Sequence, residues 1–237
     1  VALKDQTGKT IGLLSMLDDK PMPNYQSTLG LFKSLAARAA IEIELVKSAV
    51  EREQTAAALH QNQEQVLHNQ RVLLNLSKEN FLDQNDAFTQ IIVADAQQLE
   101  VSRVSVWLFN EDRTAFICQS LYSHGKLETE LPTLQTVDYP HYFEALNDNG
   151  IIVADDAQHH PSLQEFREGY LIPLGITSML DTPIRVRGKV VGINCHEHIG
   201  AKRIWTREAQ DFARSISDLC AKALLDGERK HAEALLR

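Results

Sequence analysis

Apolar and polar positions fall into one pattern that occurs twice along the chain. Near the start, Leu3-Lys4 leads through a turn into Gly8-Lys9-Thr10-Ile11-Gly12-Leu13; near the end, Ile184-Arg185 leads through a turn into Gly188-Lys189-Val190-Val191-Gly192-Ile193. Short apolar runs punctuated by glycine predict a strand, a tight turn and a strand in each place. Gly8 and Gly188 stand 180 positions apart, and so do Gly12 and Gly192, Phe32 and Phe212, and Leu45 and Leu225. The spacing therefore persists through the segment after each hairpin. There, Phe32, Leu35, Ala36, Ala39, Ile43 and Val46, and again Phe212, Ile216, Leu219, Ala223 and Leu224, recur at intervals of three and four, as on one face of a helix. The second copy has a full domain ahead of it and the first has none. Residues 1–47 are thus expected to be the C-terminal part of a first domain, cut from a longer protein.

Between the copies no proline occurs from Asn24 to Leu131, and no glycine between Leu31 and Gly125. A helix from near Tyr25 to Leu74 would reach roughly 75 Å at 1.5 Å per residue, and a second helix is expected from about Ser77 to Leu99. Arg52, Leu59, Val66 and Leu73 recur every seventh residue, as do Ala49, Ala56, Gln63 and Gln70. This half-apolar seam, centred on a linker at 48–74, predicts a weak parallel homodimer through the linker helices; the alternative is a single helix packed on its own domain.

Residues 75–225 read as one complete domain. Alternation in Val104-Ser105-Val106-Trp107-Leu108-Phe109 marks a strand over Arg103 to Asn110, joined by the turn Glu111-Asp112-Arg113-Thr114 to another over Ala115 to Tyr122. Pro140 to Leu146 and Ser162 to Tyr170 predict short helices, Ile151 to Ala154 an extended segment, and Thr177 to Val186 with Lys189 to His196 the closing hairpin. Thr206 caps the last helix, with Glu208 in its first turn. Helices at both ends of a largely antiparallel sheet give an α+β architecture, and residues 226–237 read as the start of a helical linker.

Composition narrows the partners. With 43% hydrophobic and 24% charged residues the chain can build a core. A net charge of -8 and the lack of a dense basic patch argue against nucleic acid. No apolar run approaches the roughly 18 residues of a membrane span. Cys118, Cys195 and Cys220 are widely spaced, which supports neither a disulfide framework nor a zinc ribbon and fits a reducing cytoplasm.

The run from Asp155-Asp156 through Phe166-Arg167-Glu168-Gly169-Tyr170-Leu171-Ile172-Pro173-Leu174-Gly175-Ile176-Thr177-Ser178-Met179-Leu180-Asp181-Thr182-Pro183-Ile184, then Gly188, Gly192, Cys195-His196-Glu197-His198 and Trp205-Thr206-Arg207-Glu208, resembles the GAF domains of multidomain bacterial sensor proteins. Val1 to Glu44 resembles the C-terminal third of another such domain. The resemblance implies a PAS-like fold that senses small molecules or serves as a dimerising spacer, in tandem with an output module of the kinase or diguanylate-cyclase type.

Particular chemistries find less support. His196 and His198 share a strand face and offer two metal ligands, short of a metal site; fold packing or a pocket edge is the better reading of the tetrad. Between Ala157 and Ser178 there is no cysteine for a covalent bilin, and the cyclic-nucleotide signature is not legible. No G-x-S-x-G elbow, phosphate-cradling loop or H-E-x-x-H occurs, so a non-enzymatic module without a cofactor is expected. A sensor pocket is ordinarily apolar with a few convergent polar groups. Its candidate lining is Trp107, Phe109, Tyr122, Tyr142, Phe166, Tyr170, Met179 and His196, each of which is equally a candidate for plain core packing.

Overall fold

Both predicted hairpins carry the same irregularity. In a computed structural model that describes residues 1–15, 25–79, 81 and 83–235, strands β1 (Ala2–Lys4) and β2 (Thr10–Leu13) pair antiparallel with Leu3 opposite Gly12, and the ladder then slips so that Lys4 faces Thr10. In the closing hairpin Ile184 lies opposite Gly192, and the ladder slips so that Arg185 faces Val190. Gly8 and Gly188 hold the two turns with φ of 84° and 80°, a conformation that costs glycine nothing. The buried helical positions correspond as well: Ala36 and Ala40 in the first copy, Ile216 and Cys220 in the second.

The chain divides into two units, Val1–Gln65 and Val66–Arg237, and helix α1 (Tyr25–Lys78) contributes to both. The first unit has a small core of Leu3, Ala36 and Ala40 with Ile11, Leu14, Ala39 and Ile43 packed against it.

In the second unit the remaining elements are α2 (Gln84–Leu99), β3 (Arg103–Phe109), β4 (Ala115–Ser123), β5 (Lys126–Leu127), β6 (Thr133–Gln135), α3 (Pro140–Asn149), β7 (Ile152–Ala154), β8 (Ile176–Val186), β9 (Lys189–Ile199) and α4 (Arg207–Leu235). The described strands form a seven-stranded antiparallel sheet in the order β5-β4-β3-β9-β8-β7, with β6 also on β4. The α+β architecture is as expected. Two details differ. The break in the helical run lies after Lys78 and not near Leu74; Asp83 restarts the chain as α2 by accepting the Asp86 amide at 2.9 Å. The segment expected as one helix over Ser162 to Tyr170 is a 3-10 turn over Pro161–Phe166 followed by a π-helical turn over Arg167–Leu171.

One sheet face is covered by α2, α4 and the end of α1. Phe88, Ile91, Ile92 and Leu99 from α2 meet Phe212, Ile216 and Cys220 from α4 over Val104, Val106, Leu180 and Ile184. Thr206 caps α4 through the Ala209 amide at 3.3 Å. The heptad positions Val66 and Leu73 are half-buried, Leu73 against this core, whereas Leu67 and Leu74, one position further on, are more than half exposed. No helix of the described residues is long and apolar enough to cross a membrane.

The repeated glycines are not equivalent in packing. A Cβ on Gly192 would lie 2.2 Å from the Trp107 carbonyl oxygen, whereas one on Gly12 would meet only the Leu3 side chain at 3.2 Å. Gly192→Ala is expected to lower stability by about 2–3 kcal/mol by forcing β3 from β9, and Gly12→Ala by less than about 1 kcal/mol. Urea unfolding of the two variants checks this contrast.

Candidate ligand site

Strand alternation divides the residues of β8 and β9 between two chemically different faces. On the helical face His196 is fully buried; its Nδ1 donates to the Leu180 carbonyl at 2.7 Å and its Nε2 lies 2.9 Å from Asp95 Oδ2. Asn194 Nδ2 donates to the same carboxylate oxygen at 2.8 Å. Burial opposes charge on the imidazole, but the Asp95 charge and hydrogen bond, with the Leu180 carbonyl, hold it above its ordinary pKa. The result is a buried, hydrogen-bonded histidine-aspartate pair joining α2 to the central strand. Thr182 and Ser217, 2.6 Å apart, join α4 to β8 beside it.

The opposite face is capped by α3 and by the irregular turns from Ala157 to Leu171. Their aromatic side chains interlock. Tyr142 and Phe166 pack edge to face with centroids 5.0 Å apart, Phe166 stacks on Tyr139 at 4.2 Å, and Phe116 contacts Phe109 and Phe143 at 4.2 and 5.0 Å. Beneath this cap lies Asp181, with no exposed surface. The Tyr142 hydroxyl donates to its Oδ2 at 2.7 Å. Its Oδ1 has no hydrogen-bond partner among the described residues. Burial, resisted by hydrogen bonds from the Tyr142 hydroxyl and the Cys195 thiol and reinforced by the Glu197 charge, pushes the Asp181 carboxyl up to about 7. The neighbouring Cys195 thiol is raised well above its usual range by burial and by these same acids.

Glu197, the next capped-face residue on β9, is in a different condition. Arg103 Nε donates to its Oε2 at 2.6 Å and the Tyr170 hydroxyl to its Oε1 at 2.7 Å. The remaining Arg103 nitrogens donate to Ser123 Oγ at 2.9 Å and to the Tyr170 oxygen at 3.3 Å. Burial works against the Arg103 charge, but Glu197 outweighs it and holds the guanidinium above its ordinary value. This pair is neutral and satisfied; Asp181 is an unbalanced acid with a free acceptor.

Of the eight residues proposed from the sequence, Trp107, Phe109, Tyr142, Phe166, Tyr170 and Met179 come together on the capped face. Tyr122 and His196 do not: Tyr122 packs with the helical-face core, and His196 is bound to Asp95 there. A bulge accounts for Tyr122. Val106 pairs with Ser120 but Trp107 with Cys118, so Gln119 is the extra residue and reverses the facing of the rest of β4. Sequence reasoning missed Arg103, Asp181 and Glu197. Asp181, an acid in the mostly apolar run Met179-Leu180-Asp181-Thr182-Pro183-Ile184, was the available signal. Two crevices, of about 120 and 380 Å³, lie instead in the helical layer, the first beside Leu76, Gln84 and Gly227 and the second beside Leu73 and Phe212. The buried charge chemistry of the capped face is absent from their linings, and we place the candidate site under the cap.

The domain is thus of the α+β class, an antiparallel sheet with helices on one face and an irregular aromatic cap on the other. The GAF domain profile matches residues 83–224, and the chain belongs to that family. GAF domains are sensory and regulatory domains of signalling proteins. No curated protein sequence matches the chain. Among solved structures, the phycoerythrobilin-bound GAF domain of a cyanobacterial phytochrome is similar with a TM-score of 0.59 at 17% identity, over 70% of this chain and 98% of that one. The GAF domain of an Acinetobacter phosphoenolpyruvate-protein phosphotransferase is similar with a TM-score of 0.56 at 14% identity, over 71% and 98%. A free methionine-R-sulfoxide reductase from Neisseria meningitidis, in complex with its substrate, gives 0.53 at 9% identity, over 68% and 89%. At these identities the likeness concerns the fold alone.

Proposed function

We propose that this chain is a cytoplasmic sensory GAF module that holds a small molecule under the aromatic cap. It relays occupancy through α1 and α4 to an output module of the kinase or diguanylate-cyclase type. The observation that carries the reading is Asp181, a buried acid with an unused oxygen beneath a cap of irregular backbone, since an unsatisfied buried polar group costs stability unless something binds it. A relay is supported on the far side of the sheet, where Lys222 of α4 donates to the Ser77 carbonyl at 3.0 Å and Lys230 to the Phe81 carbonyl at 2.9 Å. The outgoing helix is thereby tied to the connection between α1 and α2. Three buried free thiols fit a reducing compartment.

Native mass spectrometry with an absorption spectrum of the purified chain tests the reading. A co-purifying small molecule released on denaturation is the expected result; unliganded mass under every condition contradicts it. A second reading, a spacer domain that only dimerises, is favoured by the interlocked rings, which fill the capped face with side chains.

The proposed partner in either case is a second copy of the chain, and the exposed pair Leu67 and Leu74, one heptad apart, supports a seam displaced by one residue from the Val66 and Leu73 register. Light scattering is expected to show a dimer that Leu67→Glu with Leu74→Glu converts to monomer. A concentration-independent monomer for the unaltered chain removes the seam.

The opening residues 1–47 we take as a second GAF-like hairpin and helix, on the strength of the matching ladder slip and buried positions. Residues 48–74 then serve as the linker helix, 75–225 as the GAF domain and 226–237 as the start of a linker, of which the described part, to Leu235, continues α4.

A further inference from the structure

We propose that the capped face selects a small organic cation, a protonated amine or amidine on an apolar body, through the free oxygen of Asp181. The inference rests on the capped face being the ligand site and adds the charge of what enters it. Arg103 and Glu197 neutralise each other, and every hydrogen bond named for them is made within the protein, so neither is free to hold a ligand. Asp181 has no such counterion. The groups facing it are the Tyr142 hydroxyl from α3 and the Cys195 thiol and Glu197 from β9, with Arg103 of β3 committed to Glu197; His196 acts on it only from behind the sheet. Tyr142 already occupies Oδ2, the thiol is a weak donor, and Oδ1 is left to accept.

An anion entering here meets an uncompensated acid, whereas an ammonium or amidinium supplies the missing N–H donor and counter-charge together. The wall suits the apolar body of such a ligand, because Tyr142, Phe166 and Tyr170 supply aromatic surface and Met179 adds a polarisable thioether. Access lies with the covering segment. It consists of 3-10 and π-helical turns, and a Cβ on Gly169 would have no atom within 4 Å. A π turn of this kind is a frequent companion of functional sites.

Three probes of nearly equal shape separate charge from fit: benzylamine, benzyl alcohol and benzoate. Binding to the full chain is followed by the Met179 methyl resonance, assigned with Met179→Leu. Benzylamine is expected to shift it saturably, with an affinity that rises several-fold from pH 6 to pH 8 as the facing carboxyl ionises. Benzoate is expected to bind at least tenfold more weakly. Asp181→Asn should lose about tenfold or more of the benzylamine affinity and leave benzyl alcohol unchanged. Equal binding of all three probes, or benzylamine binding unaltered in Asp181→Asn, overturns the charge selectivity while the ligand site itself stands. If no probe reaches the Met179 methyl in either protein at either pH, both the selectivity and the ligand site fail.

Discussion

His196→Ala is expected to lower the stability of the second unit by about 3–5 kcal/mol, the largest effect of any single substitution considered, because it strands the Asp95 carboxylate in the core. The side chain is fully buried and both its ring nitrogens are engaged, so its loss leaves Asp95 with the neutral Asn194 amide as donor and no counter-charge. Asp95 Oδ1 and Asn194 Oδ1 already lack partners, which leaves the network no reserve. The effect carries a pH signature. The folded state raises the His196 pKa above about 6.5, its unfolded value. The imidazolium contribution is thus fully present below about pH 6.5 and is lost as pH rises through the folded value. Urea midpoints between pH 6 and 9 should fall for the unaltered protein and lose that component in His196→Ala. A loss under 1 kcal/mol, or an unaltered slope, would show that the pair is not charged.

Asp181→Asn is expected to do the opposite, stabilising the domain by up to about 4 kcal/mol at pH 8. Folding raises this carboxyl from about 3.9 to about 7, so between those values the folded state holds a proton that the unfolded chain releases. Stability therefore declines as pH rises from about 4 to about 7 and is level above that. Three units at 1.36 kcal/mol each give the figure of about 4. Asparagine keeps an acceptor for Tyr142 without the charge. The variant should thus lose this decline between pH 4 and 7 and exceed the unaltered protein at its alkaline end. Thermal unfolding across that range decides it, and a variant less stable at every pH would refute a destabilising charge. A domain that tolerates this cost in order to retain an acid under its cap fits a site kept for binding, in line with the exchange of stability for function at ligand sites.

How far the sequence disclosed this depended on whether a local signal carried the information. The closing hairpin was legible because Gly188 and Gly192 punctuate alternating apolar runs, and the 180-residue offset exposed its counterpart at Gly8 and Gly12. The ladder slip at Arg185 and Lys4 could not be read, since register depends on the partner strand. The end of α1 was misplaced because Ser77 to Phe81 contains no helix breaker, and only the Asp83 cap marks the restart. The turns from Pro161 to Leu171 look helical in composition, yet their 3-10 and π spacings send Tyr170 to Glu197.

The candidate site was half legible for a related reason. Selecting by residue type found the aromatic cap. Strand parity was needed to send His196 to the helical face, and the Gln119 bulge to send Tyr122 there. The same parity puts Cys195 and Glu197 beside Asp181, so the Cys195-His196-Glu197-His198 tetrad is divided between two networks and does not act as one cluster. Burial could not be inferred for Arg103 and Glu197, since exposed charges have the same sequence appearance as buried paired ones.

Carboxyl-carbon NMR of the aspartates, followed from pH 3 to 9 in the full chain and in Asp181→Asn, tests most directly whether an ionisable acid waits unpaired beneath the cap. One aspartate resonance should titrate near pH 7 and be missing from the variant. A set of aspartates that all titrate below about pH 5 would contradict the account.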